Sequence, residues 1–83
     1  MSDLQTLPNI GAVLAERLRQ AGIESAEALL SLGDTEAFRR LRVTLPDDAC
    51  LSTRFALAGA VRGMRWHALD ATLRKNLTRE FKK

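Results

Sequence analysis

Reactive side chains are scarce in this sequence, which has one cysteine and one histidine in 83 residues. A single thiol excludes an internal disulfide, and one cysteine with one histidine cannot supply a metal-ligand cluster of the usual kind. The glycines form no rich loop of the type that cradles nucleotide phosphates. A catalytic reading therefore has little to stand on, and neither a cofactor nor a small-molecule substrate is expected. The longest uninterrupted apolar run, Phe55 to Val61, is far too short to span a bilayer, so no membrane association is expected. Met1 to Gln5 contain no basic region followed by an apolar one, so no secretory signal is expected; the cytoplasm is the expected compartment. Strand-like alternation and internal repeats are also lacking.

What is present fits one soluble globular domain over residues 1–83, with 46% hydrophobic and 28% charged residues. A chain of this size buries roughly 60 to 65% of the surface its unfolded form exposes, so its stability should be modest. The net charge of +3 is unevenly spread. Residues 1–53 carry five arginines against eight acids, whereas residues 54–83 carry eight cations against Asp70 and Glu80. Clustered cations of this kind suit an acidic partner, nucleic acid being the commonest. The same residues also complement the dipole of a last helix and keep a small protein soluble.

The chain is organised around Leu7 to Ile23, a tight turn opening into an amphipathic helix over about Gly11 to Ala21. Ile10, Val13, Leu14, Leu18 and Ala21 recur at spacings of three and four and define one core-facing stripe. Pro8 biases Leu7 toward extended backbone, and Asn9 tolerates the left-handed region. Gly11 is expected where a Cβ would be disfavoured, so that Gly11→Val should strain the turn. Ala21-Gly22-Ile23 reads as a helix stop with Ile23 folding back.

Caps and glycines delimit the other elements. Asp3 is the expected cap of a short first helix over Leu4 to Leu7. Ser25 caps a third helix ending at Gly33, and Asp34 opens a fourth that points Phe38 and Leu41 inward. Asp47 or Asp48 is the expected cap of a fifth helix from Ala49 to about Met64. That helix is apolar around most of its circumference and hence central. Cys50 reads there as a buried structural thiol, Gly59 and Gly63 as a notch for close helix packing, and Trp66 as at least half buried. Asp70 caps a sixth helix on which Leu69, Leu73, Leu77 and Phe81 stand four apart.

The turn at Asn9-Ile10-Gly11 resembles the helix-hairpin-helix motif, with asparagine in place of its first glycine. Taken with SAEALLSLG, EAFRRLR, the lone CL before a small-residue helix, and RGMRWHAL, the chain resembles the C-terminal domain of the TfoX/Sxy competence-regulator family over nearly its whole length. The N-terminal domain of full-length members is absent from this sequence, which leaves open a stand-alone version or a fragment. The resemblance implies an all-α, five-to-six-helix domain with a single hairpin, similar to sterile-alpha-motif domains. It implies a non-enzymatic role in regulating competence or transcription.

Two kinds of partner follow. A protein partner or self-association would use Leu73, Leu77 and Phe81 if the last helix leaves them uncovered. Nucleic acid would be held by hairpin amides around Asn9, Ile10, Gly11 and Ala12 and by Arg62, Arg65, Arg74, Lys75 and Arg79. Against direct transfer of hairpin binding, many DNA-binding hairpins have lysine where this chain has Val13, and they commonly work in pairs.

Overall fold

A computed structural model describes residues 3–82, and their regular structure is entirely helical. The α-helices are α1 (Ala12–Gln20), α2 (Ala26–Leu32), α3 (Asp34–Thr44), α4 (Leu51–Arg62) and α5 (Ala71–Phe81), with 3-10 turns at Asp3–Thr6, Pro46–Asp48 and Trp66–Ala68. The punctuation is largely that of the sequence. The Ser25 hydroxyl accepts from Ala28 N–H at 3.0 Å, and the Asp70 carboxylate accepts from Thr72 N–H at 3.1 Å, each satisfying a helix-start donor. Ile23 N–H folds back to the Leu18 carbonyl at 2.8 Å and its side chain is buried. Asp3 departs from expectation: its segment is a 3-10 turn, and its carboxylate accepts from Ala26 N–H at 2.8 Å, pinning the turn to the start of α2.

Helix α4 is central as expected, burying Leu57, Ala58, Gly59 and Ala60. The main core gathers Leu4, Ile10, Leu18, Ile23, Leu29, Leu41 and Leu57 with neighbours from the first four helices. A smaller cluster of Ala58, Leu69 and Leu77, flanked by Phe55 and Leu73, seats α5.

Several side chains lie elsewhere than their spacing suggests. Val13 is exposed, because α1 centres its buried stripe on Ala15 and Leu18, about 170° around the cylinder from residue 13. Cys50 is exposed rather than buried: it has extended backbone as the residue preceding α4, outside the helical register that would turn it inward. Neither Asp47 nor Asp48 caps α4. The Asp48 carbonyl accepts from the Thr53 hydroxyl at 3.2 Å, while its carboxylate pairs with Arg17 at 3.1 Å. Gly11 has φ −93° and open space where a Cβ would project, so no strain is stored there. Gly59 and Gly63 divide their work: Gly63, just past α4, ends the helix in the left-handed conformation at φ 70°, and Gly59 alone forms a notch.

Candidate nucleic-acid interface

Asn9 adopts the left-handed conformation foreseen for it, with φ 69°. Its side chain does more than tolerate that geometry. Nδ2 donates to the Ala56 carbonyl at 3.3 Å and the Met64 carbonyl at 3.0 Å, and Oδ1 accepts from Trp66 N–H at 3.0 Å. One carboxamide thus ties the hairpin to the middle of α4 and to the chain that follows the helix. Gly59 makes this possible, since a Cβ there would lie 2.5 Å from Asn9 Nδ2 and 2.6 Å from the Met64 carbonyl oxygen. Asn9 and the buried Ile10 therefore face inward, while Gly11 and Ala12 are exposed at the start of α1, where no side chain accepts from the first-turn amides.

The clamp fixes Trp66, which keeps 46% of its surface accessible; just over half is covered, as expected. Its ring stacks on Phe55 at 6.3 Å between centroids and 7° between planes, and the His67 ring meets it edge-on at 5.7 Å. Beside the stack, between α1, the first turns of α4 and residues 65–67, runs a groove of about 380 Å³ lined by Arg17, Ser52, Arg65, Trp66 and His67 among others. On the other side Phe55 lines a second, more open groove of about 560 Å³ with Arg74, Lys75, Arg79 and Lys82. The aromatic pair is thus shared between the two grooves, one ring lining each.

Among the described residues, Arg65, Arg74, Lys75, Arg79 and Lys82 make no ion pair. Arg74 Nε is covered yet has no hydrogen-bond partner. Of the sequence-selected cations, Arg65, Arg74, Lys75 and Arg79 therefore share the surface of the two grooves. Arg62 is drawn away, donating to the Ala58 carbonyl at 2.8 Å and lying 3.4 Å from the Asp34 carboxylate.

The apolar stripe of α5 is largely consumed inside the domain. Leu77 is buried, Leu73 packs on the smaller cluster, and Phe81 sits 6.1 Å from Phe38 with the Arg42 guanidinium over both rings.

One buried ionic site escaped the sequence reading. Arg54 is 5% exposed, pairs with Asp34 at 2.7 Å, donates to the Thr35 hydroxyl at 3.2 Å and lies over the Phe38 ring. Its signal was positional: Arg54 stands three and four residues before Leu57 and Ala58, on the buried side of α4. Burial alone would raise the Asp34 pKa, but the hydrogen bond and charge of Arg54, with help from Arg62, hold it below the usual carboxylate value. On the surface, hydrogen bonds from Arg39 and Arg40 pull Glu36 down to about 2. The hydrogen bond with Thr53 lowers the Cys50 thiol. Among the described residues no His, Cys, Asp or Glu group is arranged to hold a metal, and no helix is long and apolar enough to cross a membrane.

Residues 1–81 match the family described as the TfoX C-terminal domain. The chain is 25% identical over 77 residues to the DNA transformation protein TfoX1 of Aliivibrio fischeri, a match covering 93% of this chain but only 37% of that protein. Two crystal structures from Listeria monocytogenes, described as an uncharacterized protein and a protein of unknown function, are similar to it. The triclinic form has a TM-score of 0.84 and 43% identity, covering 90% of this chain and 84% of the other. The tetragonal form has a TM-score of 0.86 and 42% identity, covering 93% of each.

Proposed function

This chain belongs to the TfoX C-terminal domain family, and from that premise we propose that it is a non-enzymatic, cytoplasmic regulatory domain that acts by binding nucleic acid through its α5 face. The observation that carries the reading is the set of five cations without ion pairs, Arg65, Arg74, Lys75, Arg79 and Lys82, gathered around one aromatic pair. Cations held near one another without acidic partners gain affinity for a polyanion by displacing its counterions. The uncapped start of α1 is a secondary source of phosphate contacts. A role in competence is supported by family membership and by the name of the Aliivibrio relative, a DNA transformation protein; action on transcription is part of what we propose. A protein partner loses much of its motive because Leu77 is covered within the chain and Leu73 and Phe81 are partly so.

The test is a titration of labelled duplex and single-stranded DNA at several salt concentrations. Five phosphate contacts give a log K versus log salt slope of about −4.5 on duplex DNA. Arg74→Glu with Lys75→Glu should weaken binding to all sequences alike, since phosphate contacts carry no base information. Absence of binding at tens of micromolar protein in low salt refutes the reading, and a protein partner then becomes the better explanation of the domain.

A further inference from the structure

We propose that the groove beside Trp66 receives an unstacked nucleobase, so that the domain selects single-stranded over duplex nucleic acid. This rests on the phosphate-binding reading above and adds the identity of the strand. The groove, about 380 Å³, is large enough for a small flat ligand and is bordered by the chain's single tryptophan. Trp66 is supported on one side by the Phe55 ring and leaves 46% of its surface accessible. Its backbone is held through Asn9, which accepts from Trp66 N–H and donates to the Met64 carbonyl two residues earlier. The ring is therefore placed before any ligand arrives, and stacking on it does not require the turn to be ordered first.

The polar lining points the same way. Ser52, Arg65 and His67 border the groove, and none of their side chains has a hydrogen-bond partner among the described residues. A hydroxyl, a guanidinium and an imidazole together can donate to and accept from the edge of a base. Beyond the stack, Phe55 opens onto Arg74, Lys75, Arg79 and Lys82, a path for the backbone of the same strand. A simple acidic peptide would satisfy the cations but not the aromatic face. A duplex would satisfy the cations while keeping its bases stacked on one another. A single strand satisfies both, and its bases stack on an aromatic side chain without regard to sequence.

Because Trp66 is the sole tryptophan, its fluorescence reports on this groove alone. The experiment compares three ligands with equal numbers of phosphates: an oligodeoxythymidylate, an abasic strand of the same length, and a duplex. Affinity is read by anisotropy and stacking by quenching of Trp66 emission. The expected result is quenching by the oligonucleotide alone, with affinity about tenfold or more above that of the abasic strand. Trp66→Ala should bring oligonucleotide affinity down toward the abasic value, and Trp66→Phe should keep most of it; the comparison on the unaltered protein stands even if the alanine variant does not fold. Equal affinity for the normal and abasic strands, with unchanged emission, overturns the base-binding proposal and leaves phosphate binding intact. Failure of all three ligands to bind at low salt overturns both.

Discussion

Gly59→Ala is an unusually discriminating substitution, because general helix chemistry and this particular packing predict opposite signs. Gly59 lies inside α4, where replacing glycine by alanine ordinarily gains about 1 kcal/mol. Here the added Cβ would meet Asn9 Nδ2 at 2.5 Å and the Met64 carbonyl oxygen at 2.6 Å, with Trp66 N at 3.3 Å. The Met64 and Trp66 atoms are backbone, and the Asn9 amide can withdraw only by releasing its three hydrogen bonds. At about 0.5–1.5 kcal/mol each, those bonds are worth about 1.5–4.5 kcal/mol. Subtracting the helical gain leaves a net loss of about 2 kcal/mol. In a domain of this size that lowers the thermal midpoint by about 10 °C, readable by circular dichroism at the helical band. Repeating the substitution in an Asn9→Gly background, which keeps the left-handed turn but has no carboxamide, should reduce the cost. A Gly59→Ala protein melting at or above the unaltered one would refute the clamp.

Other consequences are equally accessible. Asp34→Asn should cost about 3–5 kcal/mol in urea denaturation, because it leaves the buried Arg54 without its counter-charge. The Asp34 pKa is lowered on folding, so its contribution is fully present above the ordinary value of 3.8 and is lost as pH falls through the lowered one. Unaltered protein and Asp34→Asn should therefore converge only below about pH 4; a gap that closes between pH 7 and 5 would contradict the assignment. Gly11→Ser should stabilise the domain by a few tenths of a kcal/mol and so raise the thermal midpoint slightly, since α1 lacks a side-chain cap and the site has room for one. A marked loss would mean that the turn is tighter than described. Arg42→Ala should cost about 1–2 kcal/mol by uncovering both Phe38 and Phe81, and chemical denaturation showing no change would show those ring contacts to be idle.

Local rules were legible where a residue acts on its own neighbourhood. Ser25, Asp70, Gly22 and Gly33 mark helix ends through bonds or dihedrals within a few residues of themselves, and the structure uses them so. The family likeness was equally legible, because its short segments stand in sequence order. What could not be read were pairings across the chain. Asn9 and Trp66 are 57 positions apart, and nothing near either names the other. Arg54 resembles a tolerated surface charge until α3 brings Asp34 against it. The error at Cys50 came from a helix boundary: starting α4 at Leu51 instead of Ala49 removes the register that would have turned the thiol inward. The grooves fall in the same class, since α1, α4 and the turn at Trp66 supply one jointly and α5 contributes most of the other.

The division of the interior into two clusters sets a hierarchy of opening. The first four helices share the large cluster, whereas α5 is seated by the small one and by Phe81 at its far end. An element with so few buried anchors opens at lower free energy than the rest, and its amides should exchange with solvent before those of α4. Most of the unpaired cations ride on that element. A polyanion that binds only the docked helix would hold α5 down by mass action, slowing by the same factor every exchange that requires α5 to leave, global unfolding included. The ligand would act as the missing part of the α5 interface, and protection in α5 would measure its occupancy.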